Sequence, residues 1–146
     1  MTETADILVI GGGMAGIGAA ARAAQSAPGT KVVVLEAEAH AGQHSTGRSA
    51  AIFIANYGNA AIRAANAASH GELAAPPDDL ADSPLLSPRG EMMIATAEEE
   101  ALFERHMAGA ADTEEITPDE AVRLFPILRR ETIARACVER GASDID

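Results

Sequence analysis

The stretch DILVIGGGMAGIGAAA, Asp6 to Ala21, decides how the rest of the chain is read. Ile7 to Ile10 is a continuous apolar run ending in glycine, which predicts a strand buried on both faces. From Met14 to about Gln25 the alanines, Ile17 and Arg22 favour helix. Gly11, Gly13 and Gly16 lie at the junction and satisfy G-x-G-x-x-G. Each glycine meets a separate demand. Gly11 allows the tight turn out of the strand, Gly13 lets the helix N-terminus approach a pyrophosphate, and Gly16 lets the helix pack closely on the strand. The N–H groups of the first helical turn and the positive end of the helix dipole then suit phosphate charge.

Outward from that turn, Ser26 to Thr30 supplies a stop, with Pro28 and Gly29 as breakers. Lys31 to Glu36 is β-branched and apolar and reads as a second buried strand. Strand, helix, strand is a βαβ unit, with parallel strands and a right-handed crossover. Glu36 closes the second strand 20 residues after Gly16, where a carboxylate accepts hydrogen bonds from ribose hydroxyls. An acid there repels a 2′-phosphate and disfavours NADP. FAD and NAD share this fingerprint, so the motif alone does not choose between them.

Further along, the Ser, Thr and Gly cluster at 45–49 reads as loop, and 49–55 as the start of a helix or irregular chain. Asn59 to about Leu73 is Ala-rich and predicts a helix. The following segment holds Pro76, Pro77, Pro84 and Pro88 and reads as a surface loop. Glu91 to Thr96 predicts a strand. Thr96 and Glu99 have capping-box spacing ahead of a helix from Ala97 to Ala110. Thr117 as N-cap, Pro118 at N1 and Glu120 at N3 open another helix, which Pro126 ends. Thr132 to Glu139 alternates apolar and polar and predicts a strand. The final GASDID carries no stop signal, and there is no internal repeat.

The 146 residues suit one ordinary domain, and 47% are hydrophobic, enough to fill a core. Lys plus Arg is 11 against 22 Asp plus Glu, a formal charge of −11, which argues against binding nucleic-acid backbones. Any dinucleotide must be held by backbone dipoles, not by a basic surface. The single cysteine, Cys137, permits no intramolecular disulfide and no cysteine metal cluster, and reads as a buried small apolar residue. His40, His44, His70 and His106 show no ligand spacing, so no metal site is expected. No apolar run reaches the roughly 20 residues of a membrane span, and the acidic start MTETAD lacks the basic region of a secretory signal. A cytoplasmic protein is expected.

The stretch HSTGRSAA, His44 to Ala51, resembles the flavin-binding segment of the D-amino-acid oxidase superfamily of FAD-dependent oxidoreductases. Tyr57-Gly58, PLLSPRGEM (Pro84 to Met92) and GASDID are similar to the D-arginine dehydrogenase group within it. The likeness runs from Asp6 to Asp146. It implies a Rossmann-like α/β fold with FAD as cofactor. Gly11, Gly13, Met14, Ala15 and Gly16 would meet the pyrophosphate. Glu36 would bind the adenosine ribose, with Ala37 beside it. Ser45, Thr46, Gly47, Arg48, Ser49, Ala50 and Ala51 would run along the pyrophosphate and ribityl chain, where hydroxyls, N–H groups and the Arg48 charge suit phosphate oxygens. Tyr57 and Glu91 match positions that face substrate, and a carboxylate at 91 could pair with a guanidinium or ammonium group. The chain departs from the D-arginine group at Ile52 and Ile54, where its members carry His and Thr.

Members of the superfamily are more than twice this length. The resemblance therefore implies the N-terminal part of a two-domain flavoenzyme, as a truncated gene, a split subunit or an excerpt. Residues 1–75 would begin the FAD-binding domain and residues 76–146 a mixed-sheet substrate domain. The implied reaction oxidises an amino acid or amine: hydride leaves Cα for the flavin, and water hydrolyses the imine to a keto acid. No catalytic base is identified. Two alternatives stay open: an FAD-binding subunit that is non-catalytic or works only with a partner, and an NAD-binding oxidoreductase domain. A partner chain or further C-terminal region would complete the sheet, whose unpaired edges should be exposed and apolar.

Overall fold

The computed structural model describes residues 4–145. The first three residues of MTETAD and the closing Asp146 of GASDID lie outside the described residues. The fold is mixed α/β, and the chain forms two compact units, Met1–Ala50 and Ala51–Asp146.

In the first unit β1 (Ile7–Ile10) and β2 (Val32–Leu35) pair in parallel, with Ile7 opposite Val32 and Ile10 opposite Leu35. Helix α1 (Met14–Ser26) connects them and packs against both. The ladder extends into the turn, where the Gly11 N–H donates to the Leu35 carbonyl at 2.7 Å. Gly29, at φ +89°, ends the connection, as the Pro-Gly pair predicts. One expectation fails here: the strands are not buried on both faces. Leu8, Ile10 and Leu35 are 53, 83 and 52% exposed. Their two-sided apolar sequence suits a central position, but among the described residues each strand has one neighbouring strand.

The second unit holds two antiparallel sheets, ordered β3-β8-β4 and β5-β7-β6. The first joins β3 (Ile52–Phe53), β8 (Ser143–Ile145) and β4 (Leu86–Pro88). The second joins β5 (Glu91–Ala95), β7 (Arg135–Glu139) and β6 (Thr113–Ile116). Strand β7 is central, and its alternation divides the core. Ala136 and Val138 face Ile116, Ala121 and Ile133, whereas Cys137 on the opposite face joins Ala95 and Phe103. Cys137 is buried, as read from sequence.

Helix α2 (Ala60–Ala74) begins after Asn59, whose Oδ1 accepts from the N–H groups of Ala61 and Ile62. The Thr96–Glu99 capping box forms, but it opens a 3₁₀ turn at Ala97–Glu99 before α3 (Glu100–Met107), shorter than the expected helix. Thr117, Pro118 and Glu120 open α4 (Pro118–Leu124) as their spacing predicts. Strand β7 starts later than Thr132 because Arg130–Thr132 turns as 3₁₀. Residues 52–53 are neither helix nor irregular: they pair with β8. The proline loop contains β4, an edge strand, where Pro88 breaks no ladder inside a sheet. Strands β6 and β8 are too short and polar to show a period, and pairing alone makes them strands. No helix among the described residues is long and apolar enough to cross a membrane.

Candidate functional site

The glycine turn of the first unit is built around a carboxylate. Gly11 takes φ +101°, so the chain leaves β1 through a conformation that disfavours side chains. The Gly12 N–H then donates to Glu36 Oε2 at 2.6 Å, and the Glu38 N–H donates to Oε1 at 3.0 Å. These N–H groups, that of Glu38 foremost, hold the exposed Glu36 carboxyl below the usual carboxylate range. A carboxylate has about four lone-pair sites, so Glu36 keeps room for a ribose hydroxyl beside these bonds.

Gly12 is the residue sequence reasoning passed over. A Cβ there would lie 2.9 Å from Glu36 Oε2, so the carboxylate approaches the turn only because Gly12 has none. The available signal was the run of glycines itself, Gly11 to Gly13, longer than the pattern needs. Gly16 is still tighter. A Cβ would sit 2.0 Å from the Gly11 carbonyl oxygen and 3.4 Å from Val9 Cγ1, so the turn's own backbone excludes a side chain before the strand does.

Helix α1 has no side-chain cap from its own N-cap residue, Gly13. The Met14 N–H instead donates to Thr46 Oγ1 at 3.0 Å. The N–H groups of Ala15 and Gly16 have no protein partner among the described residues. Thr46 opens the 3₁₀ turn Thr46–Arg48 after Ser45, and the Gly42 N–H donates to the Gly12 carbonyl at 3.0 Å. Gly47 must be glycine, since a Cβ would lie 2.3 Å from the Gly42 carbonyl oxygen. Thus Gly11, Gly13, Met14, Ala15 and Gly16 share one locality with Glu36 and Thr46, with Ala37 next to Glu36 and Gly47 and Arg48 in the turn that Thr46 opens. Ser49 follows with extended backbone, and Ala50 comes next outside any helix or strand. A dinucleotide fits these residues: two unpartnered helix N–H groups suit phosphate oxygens, and an ionised carboxylate stands where a ribose is expected.

Ala51, Tyr57 and Glu91 belong to the second unit. Ala51 adopts φ +51°, uncommon for a non-glycine residue, and its carbonyl accepts from the Ile145 N–H at 2.7 Å. Tyr57 is exposed. Its neighbour Asn56 is buried and anchors the loop: Nδ2 donates to Glu139, Thr113 and the Ala111 carbonyl, while Oδ1 accepts from the Ala111 N–H. Glu139 also accepts from the Ala55 N–H at 2.7 Å. Glu91 pairs with Glu139 across β5 and β7 and lines a cavity of about 320 Å³ with Arg89, Phe125 and Arg140. Burial, with repulsion from Glu139, raises the Glu91 carboxyl. Glu139 escaped sequence reading because a buried acid at a strand end has no sequence signature. His44 Nε2 lies 2.7 Å from Glu38 Oε1, and no metal-ligating group of three or more side chains occurs among the described residues.

A family model described as "FAD dependent oxidoreductase" matches residues 6–146. Among solved structures, the chain is similar to L-proline dehydrogenase from P. horikoshii, with TM-score 0.75 and 23% identity over 100% of this chain and 39% of that one. It is similar to glycine oxidase from Geobacillus kaustophilus, with TM-score 0.74 and 22% identity over 99% and 41%. It also resembles L-alpha-glycerophosphate oxidase from Mycoplasma pneumoniae with FAD bound, with TM-score 0.74 and 18% identity over 99% and 40%. At these identities the likeness is one of fold, and the chain spans about two fifths of those structures' lengths.

Proposed function

The chain belongs to the FAD-dependent oxidoreductase family, and from that premise we propose that it is the N-terminal part of an enzyme that oxidises an amino acid or related amine. Residues 1–75 begin its FAD-binding domain and residues 76–146 begin its substrate domain. The observation that carries the reading is the Glu36 carboxylate, tied to the Gly12 N–H beside the unpartnered N–H groups of Ala15 and Gly16. In it, Glu36 holds the adenosine ribose and α1 holds the pyrophosphate, assisted by Thr46, Gly47 and Arg48. FAD, when bound by these residues, would supply the redox chemistry as the acceptor of hydride from the substrate Cα, and the imine product would be hydrolysed by water to a keto acid. Glu91 pairs with a cationic group of the substrate and Tyr57 faces it, as in the D-arginine dehydrogenase group. The hydride chemistry requires the longer chain, and the 146 residues by themselves are inactive. A reducing cytoplasm suits the lone Cys137 thiol.

A visible spectrum tests this. Protein purified or reconstituted with FAD should show flavin absorption near ~450 nm, a property of the cofactor. A colourless protein that takes up NAD and not FAD would establish the nicotinamide alternative. The exposed apolar residues Leu8, Ile10 and Leu35 favour a second reading, an FAD-binding subunit whose sheet a partner chain completes. Co-purification of a flavoprotein partner with the 146-residue chain would decide for it.

A further inference from the structure

The second unit contains a cationic cavity that the flavin reading does not use. It measures about 420 Å³ and is lined by Gly58, Asn59, Ala60, Arg63, Arg105 and Gly109. No carboxylate lines it. The chain carries twice as many acids as bases, and its other arginines mostly have partners. Arg89, Arg123, Arg130, Arg135 and Arg140 each pair with Asp or Glu. Arg63 and Arg105 pair with none among the described residues, yet they share this cavity.

Arg63 is held in place. Its Nε donates to the Gly58 carbonyl at 3.0 Å, and Nη2 lies 3.4 Å from His106 Nδ1. Nη1 is buried with no hydrogen-bond partner among the described residues. An unsatisfied buried donor is costly, more so on a charged group. Gly109 permits this seating, since a Cβ there would lie 3.0 Å from Nη1. The cavity is also at the start of α2. Asn59 satisfies the N–H groups of Ala61 and Ile62, whereas that of Ala60 has no partner among the described residues.

We propose that this cavity binds the phosphate group of a small molecule. The Arg105 guanidinium, Nη1 of Arg63 and the Ala60 N–H are donors without acceptors among the described residues. A tetrahedral dianion satisfies donors from several directions, and two positive charges match it better than they match a singly charged carboxylate. The volume leaves room for a substituent beyond the phosphate.

Isothermal titration calorimetry of the full chain, saturated with FAD to block the α1 N-terminus, tests this with inorganic phosphate and with ribose 5-phosphate. Saturable binding of either is expected, and tighter ribose 5-phosphate identifies a sugar-borne phosphate over the free anion. Arg105→Gln should weaken binding about tenfold or more, the cost of losing a hydrogen bond to a charged group. Arg105 is exposed, so that variant keeps the fold even where Arg63→Gln does not. Arg129→Gln, remote in sequence and not lining the cavity, should leave the affinity unchanged. No saturable heat with either probe, affinity within twofold of wild type in Arg105→Gln, or equal weakening in Arg129→Gln would each overturn the proposal.

Discussion

Single atoms decide the glycine turn. Gly16 and Gly18 both lie in α1, yet an added Cβ meets the Gly11 carbonyl oxygen at 2.0 Å from position 16 and nothing within 4 Å from position 18. Gly16→Ala should therefore destabilise the chain by about 1–3 kcal/mol or more, the range for forced overpacking. Gly18→Ala should stabilise it by about 0.5–1 kcal/mol, the helix-propensity difference. Urea denaturation of the two variants reads both signs. Glu36 carries the candidate site, and Glu36→Gln should weaken FAD binding about tenfold, measured by quenching of flavin fluorescence. Its carboxyl lies lower in the folded chain than its ordinary value. The stability it contributes is thus complete above the unfolded pKa of about 4.3 and is lost as pH falls through the depressed folded value. Glu36→Gln should remove that part of the acid dependence. Glu36 was legible as a candidate because its place at the end of the second strand, 20 residues after Gly16, is itself a sequence pattern. Gly12 was not, because its need for glycine comes from a side chain 24 residues away.

Caps and strand pairs differ in how far they can be read. The Thr117 cap is local: Thr117 Oγ1 accepts from the Glu120 N–H at 3.2 Å, and Glu120 Oε2 accepts from the Thr117 N–H at 2.9 Å. Four consecutive residues contain the whole interaction, so their order predicts it. Thr117→Ala should cost about 1 kcal/mol, and Asn59→Ala at the start of α2 a similar amount, by chemical denaturation. The β5–β7 pair is not local. It sets Glu91 opposite Glu139 from distant parts of the chain, and their repulsion adds to burial in raising the Glu91 carboxyl. A carboxyl raised on folding favours the protonated form, so its contribution is present at acid pH and is lost as pH rises through the folded pKa. Glu91→Gln should therefore raise the melting temperature at neutral pH and change it little at pH 4, read by a thermal scan at both.

For the whole molecule the governing quantity is apolar surface left in water. Ile10, 83% exposed, belongs to a sequence suited to burial on both faces of a parallel sheet. Ile10→Ser in the 146-residue chain should cost under about 0.5 kcal/mol, as a surface change does, while lowering binding of an apolar dye. A large loss of stability would mean that Ile10 is covered in solution. The sequence by itself determined the βαβ unit, the glycine turn with Glu36, and the helix starts at Asn59 and Thr117. Each rests on interactions within a few residues or on a period that repeats within one element. Only the tertiary structure decided which short segments are strands, since β3, β4, β6 and β8 exist through hydrogen bonds to partners elsewhere in the chain. It also decided where charge is left unpaired. Arg63, Arg105 and the Glu91–Glu139 pair look ordinary in sequence, and their character comes from what folding places beside them.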